Sequence, residues 1–170
     1  MIQLSDRVME MEESATLAMS RKSRELRAQG KDIISLSLGE PDFHTPDFIK
    51  EAAAQAMEQN FTTYTPVPGY DDLRDAIAAK FNRDNGIPYK RENIVVSTGA
   101  KQSIANLVMA AINPGDEVII PAPYWVSYAE IVKVAGGIPV VVPTTIESDF
   151  KFTPDQFRKA LSSKTKMMMF

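Results

Sequence analysis

Cysteine is absent from all 170 residues, so neither a disulfide framework nor a thiolate metal site can be built. Histidine is nearly absent as well. His44 stands alone and cannot form an imidazole cluster. No apolar run approaches the ~20 residues a membrane-spanning helix needs. The opening Met1-Ile2-Gln3-Leu4-Ser5-Asp6-Arg7 has no basic patch followed by an apolar stretch, as a targeting peptide would. Neither sign of charge dominates: 19 basic and 22 acidic residues are scattered along the chain, which argues against nucleic acid as a partner. These absences point to a protein of the cytoplasm, with no membrane and no nucleic acid among its partners.

What is present suits a folded α/β protein. With 44% hydrophobic residues, a chain of this length can bury a core of ordinary domain size. Neither an internal repeat nor a low-complexity tract interrupts it. Ser14 is placed to cap a helix over about 15–29 that Gly30 stops, and Ile33-Ile34-Ser35-Leu36-Ser37-Leu38 reads as a short strand. Thr45 and Pro46 are a cap and first-turn pair for a helix ending near Asn60. Tyr64-Thr65-Pro66-Val67-Pro68-Gly69-Tyr70 must be a loop, because two prolines and a glycine keep it out of regular structure. Leu73, Ile77 and Phe81 mark the apolar stripe of the next helix, which Gly86 ends.

From Asn93 onward, strand and helix patterns alternate. Ile94-Val95-Val96 is a β-branched run, followed by helical spacing at Ile104, Leu107, Val108, Ala111 and Ile112. Strands are expected at 117–120, 138–142 and from Lys166, with helices over about 126–135 and from Thr153-Pro154. This order predicts βαβ units and a mostly parallel sheet, whose ligands bind at the carboxyl ends of the strands. Two loops occupy such positions: Ser97-Thr98-Gly99-Ala100-Lys101-Gln102, and Pro121-Ala122-Pro123-Tyr124-Trp125 with the chain's only tryptophan. The first is a candidate phosphate cradle, since a helix N-terminus offers unpaired amides and partial positive charge, and small residues admit an anion closely. Simple capping explains the same turn equally well. It lacks the Gly-Lys-Ser/Thr ending of a P-loop and the three spaced glycines of a dinucleotide fold.

The ordered motifs decide further. Ser14-Ala15-Thr16, Gly39-Glu40-Pro41-Asp42-Phe43, Tyr64-Thr65-Pro66, Thr98-Gly99-Ala100-Lys101-Gln102, Asn113-Pro114-Gly115-Asp116-Glu117 and Pro121-Ala122-Pro123-Tyr124-Trp125-Val126-Ser127-Tyr128 follow one another in a recognisable order. Together they resemble the fold-type I pyridoxal-phosphate aminotransferases (class I/II), and within them the bacterial aspartate aminotransferase branch. The resemblance implies a three-layer αβα domain with a mostly parallel sheet, incomplete here, preceded by an N-terminal arm and a helix of the small domain. Residues 1–44 would form the arm and first part of the small domain, and 45–170 the first part of the cofactor domain. A strand that stops at Phe170 leaves the sheet unfinished, so the chain is expected to be the N-terminal part of such an enzyme, a little under half.

The resemblance also implies roles. Pyridoxal 5′-phosphate would be the cofactor, its phosphate held by the backbone at Gly99, Ala100 and Lys101, with Trp125 stacked on the pyridine ring. Gly39 would lie beside the substrate's α-carboxylate together with Trp125, and Tyr128 would stand behind the residues that touch cofactor or substrate without touching either itself. Tyr64 would reach the cofactor phosphate of a neighbouring subunit in a homodimer with shared active sites. Amino acids and 2-oxo acids would be the substrates. The family's Schiff-base lysine, its pyridinium-binding carboxylate, the asparagine near the ring hydroxyl and the carboxylate-clamping arginine would all follow Phe170, so no catalytic residue lies in this stretch and alone it should not transaminate. Lys101, in the first helical turn, is poorly placed to be that lysine. One departure is local: Glu12 and Glu13 stand where some relatives carry a lysine, which argues against side activity on bulkier dicarboxylic acids. Two alternatives stay open, another fold-type I aminotransferase or lyase, and a truncated interaction protein without catalysis.

Overall fold

The computed structural model describes residues 4–170. They form two compact units, one made of the stretch through Gly39 together with Ile104–Phe170, the other of Glu40–Ser103. The first unit holds the sheet. Strands β1 (Glu117–Ala122), β2 (Ile138–Pro143) and β3 (Thr165–Met168) lie in the order β2-β1-β3, all parallel, which is the α/β arrangement expected. β1 is the central strand and is flanked on both sides, so Val118, Ile119 and Ile120 are fully buried. The β1–β2 register runs unbroken from Glu117 opposite Ile138 to Ala122 opposite Pro143, whereas a bulge beside Glu117 shifts the pairing with β3.

Right-handed crossovers need helices between parallel strands, and the sequence supplies them. α6 (Ser127–Val134) joins β1 to β2, and α7 (Pro154–Ala160) joins β2 to β3. Val108 and Ile112 of α5 (Ala100–Ala111) and its C-terminal boundary pack with Val118, Ile120, Ala129 and Val132 into one core. Gly137, between α6 and β2, lies in that core: a Cβ there would stand 2.7 Å from Ile112 Cγ2 and 3.0 Å from Val132 Cγ1. Glycine is therefore the residue that lets helix and strand close to this distance. α7 begins on a capping box, in which Thr153 Oγ1 accepts from the Gln156 amide at 3.2 Å and Gln156 Oε1 accepts from the Thr153 amide at 2.9 Å.

The same unit carries α1 (Asp6–Met9) and α2 (Ala15–Ala28). Ser14 caps α2 as expected, its hydroxyl accepting from the Leu17 amide at 3.5 Å. Ahead of the cap, Glu13 pairs with Arg21 at 2.6 Å, and that hydrogen bond holds the Glu13 carboxyl below its ordinary range. α1 escapes sequence reading because one helical turn is too short to show a period.

The second unit contains α3 (Asp47–Glu58) and α4 (Asp71–Asn85), then a 3-10 turn over Arg91–Asn93 and an extended run into α5. α4 ends on Gly86 in the left-handed conformation, φ 68°, as its sequence predicts. Two expectations fail. Thr45 is not the cap of α3, where Pro46 takes that position without a side-chain bond. Neither Ile33–Leu38 nor Ile94–Val96 joins a ladder: Ile34 and Leu36 are 87% and 92% exposed, and β propensity makes no strand where no strand among the described residues pairs with it. No helix among the described residues is long and apolar enough to cross a membrane.

Candidate cofactor site

The segment 97–103 is built as its small residues demand. Gly99 sits at φ 86°, a left-handed conformation that glycine adopts freely, and turns the chain into α5. No heavy atom lies within 4 Å of the point where a Cβ would stand. The turn is open. The first ladder bond of α5 runs from the Ser103 amide to the Gly99 carbonyl at 3.3 Å, so Gly99, Ala100 and Lys101 come together on one exposed turn at a helix N-terminus. The amide of Gly99 itself closes onto the Ser97 carbonyl at 2.8 Å, so what this residue offers an approaching group is space rather than a donor. Gln102 ties the turn from behind, its side-chain oxygen accepting from the Thr98 amide.

Gln102 is a residue to which sequence reading gave no role of its own, because its bond reaches back four residues and fits no capping-box spacing. Arg74 is another. Its side chain is only 12% exposed, and the guanidinium donates to the backbone carbonyls of Ile94 at 3.0 Å and Arg91 at 2.7 Å, as well as to Asp71 Oδ1 at 3.0 Å. Its place four residues before the buried Ala78 would have put it on the inner face of α4. Arg91 in turn pairs with Asp71 at 2.9 Å and with Asp75, which raises the guanidinium above its ordinary range. Tyr64 lies in the same unit on a loop, fully exposed.

Trp125 and Gly39 belong to the other unit. The indole is 40% exposed and meets Tyr128 edge-on, ring centroids 5.5 Å apart and planes at 89°. An edge-to-face contact of this kind fixes the plane of the indole without stacking on it. Gly39 is exposed, with nothing within 4 Å of its absent Cβ. Near the tryptophan loop, the segment ahead of α2 docks on α6: the Glu12 amide donates to Glu130 Oε2 at 3.2 Å, and Lys133 bonds Glu130 Oε1 at 2.8 Å, which raises the lysine. They line, with Ser14, Tyr124 and Val141, a cavity of about 390 Å³. Among the described residues no group of three carboxylates or imidazoles is placed to hold a metal ion.

Comparison with known proteins places this parallel α/β chain in one family. The model of aminotransferase class I and II matches residues 31–170. The chain belongs to that family. A probable aspartate/prephenate aminotransferase of Rhizobium leguminosarum is 52% identical over 98% of this chain, and an aspartate/prephenate aminotransferase of Nitrosomonas europaea 51% identical over 99%. The chain spans 42% of the length of each. Among solved structures, Thermus thermophilus aspartate aminotransferase with maleate superposes at a TM-score of 0.94 with 47% identity, over 99% of this chain and 44% of the other.

Proposed function

We propose that the whole protein is a pyridoxal 5′-phosphate-dependent aminotransferase that passes the amino group of aspartate to 2-oxoglutarate. The observation that carries this reading is the open Gly99 turn at the head of α5, which fits an anionic cofactor group on its own geometry: a left-handed glycine, an empty Cβ position and a twelve-residue helix behind it. Bound there, pyridoxal phosphate would supply the electron sink that stabilises a carbanion at the substrate's α-carbon.

This chain's own residues bind and orient. Ala100 and Lys101 hold the phosphate at the turn where Gly99 leaves it room, and Trp125 presents an apolar face to the ring. Gly39 leaves room for the substrate's α-carboxylate beside its backbone. Tyr64, with its whole side chain in solvent, extends to the phosphate of a neighbouring subunit, so the enzyme works as a homodimer. Residues 1–44 belong to the arm and small domain, and 45–170 begin the cofactor domain. The enzyme acts in the cytoplasm.

Aspartate is favoured by the names of the relatives and by the Thermus structure titled with maleate, a four-carbon dicarboxylate of aspartate's length. Prephenate, which also appears in the relatives' names, is disfavoured because Glu12 and Glu13 stand where some relatives carry a lysine, so no positive charge there draws a bulkier dicarboxylate. The full-length protein, given aspartate and 2-oxoglutarate, should release oxaloacetate in a coupled assay, with little amino transfer to prephenate. Turnover of aromatic amino acids with no oxaloacetate from aspartate would overturn the assignment. The 170-residue chain alone should release none.

A further inference from the structure

We infer that Arg74 is a positioning residue for the phosphate turn, holding the extended approach Ile94–Val96 where it sets the head of α5. The inference rests on the reading of that turn as the cofactor's phosphate site. Arg74 lies on α4, yet two of its three nitrogens bind main-chain carbonyls, one at Ile94 where the approach begins and one at Arg91 in the 3-10 turn that leads into it. A planar guanidinium can fork between two carbonyls three residues apart, which a lysine's point charge cannot. Ile94 sits in no ladder among the described residues, so Arg74 holds its carbonyl as a neighbouring strand would.

Two residues further on, the clasp continues. The Val96 amide donates to the Pro68 carbonyl at 3.0 Å. Gly69, at φ 98°, lies so close that a Cβ would stand 2.6 Å from Val96 Cγ2. The chain leading to the turn is thus fixed at residues 91, 94 and 96, and Gly99 lies only three positions beyond Val96. Three residues of extended chain span at most about 10 Å. A displacement at Ile94 therefore has little slack in which to dissipate before it reaches the turn. The exposed Arg91–Asp75 pair shares the charge network without bonding the approach beyond the 3-10 turn, so it separates loss of charge pairing from loss of positioning.

The test compares affinities of the full-length protein for pyridoxal 5′-phosphate and for pyridoxal, which lacks the phosphate, by equilibrium fluorescence titration. The unaltered protein should prefer the phosphorylated form. Arg74→Lys should cut that preference by about tenfold or more, as displaced contact groups do, with pyridoxal affinity little changed. Asp75→Asn should keep it. Where Arg74→Lys does not fold by circular dichroism, Gly69→Ala, which pushes on Val96 from the other side, should show the same loss. A folded Arg74→Lys, or failing that Gly69→Ala, with the original preference would overturn the inference and leave the phosphate reading standing. No preference in the unaltered protein would remove both.

Discussion

Trp125 illustrates what a single side chain in this chain can be asked to do. Its indole is neither sealed in the core nor loose, because Tyr128 braces its plane while 40% of the residue stays open to solvent. Trp125→Ala in the full-length protein should cost about 0.5–1.5 kcal/mol of stacking, up to about tenfold in cofactor affinity. Titration with pyridoxal 5′-phosphate measures it, and unchanged binding would take the tryptophan out of the ring-stacking role. Gly99 and Trp125 could be singled out from the sequence because each stands beside a local pattern, a β-branched run or a proline-framed loop. Arg74 could not, since its partners lie 17 and 20 residues away and nothing local announces them.

Elements were legible where their ends carry a chemical signal. Ser14 and Thr153 announce α2 and α7, and Gly86 closes α4, because each satisfies backbone groups that a helix end leaves over. Thr153→Ala should remove the hydroxyl that accepts from the Gln156 amide and cost about 0.5–2 kcal/mol. Hydrogen exchange of the α7 amides in the full-length protein would register this as faster exchange confined to that helix, and unchanged rates would show the box to be inert. Strands were legible only where partners exist. Ile138–Pro143 and Ile33–Leu38 carry similar β-branched signals, but the first lies beside β1 while the second has no ladder to join. Propensity speaks for a residue's own preference, and pairing depends on a neighbour distant in sequence.

At the scale of the whole molecule, the distribution of apolar surface sets behaviour in solution. Leu36, Phe43, Val67 and Phe170 are each at least 86% exposed, and the outer strands β2 and β3 each have a flank without a neighbour among the described residues. Such surfaces associate. The 170-residue chain should therefore sediment as concentration-dependent assemblies, whereas the full-length protein should give one defined species. A monodisperse 18.9 kDa particle across a wide concentration range would contradict this.

The close approach at Gly137 has a consequence for how this family member can vary. With Ile112 and Val132 already within 3.0 Å of any added carbon, the junction before β2 accepts only a hydrogen, so a saturation library screened for folding would return one amino acid there. Its neighbour Gly136 meets Pro114 no closer than 3.4 Å and is constrained by its φ of 83° instead, a conformation that asparagine also visits. Two adjacent glycines would thus drift at different speeds, one frozen by volume and the other held more loosely by backbone geometry.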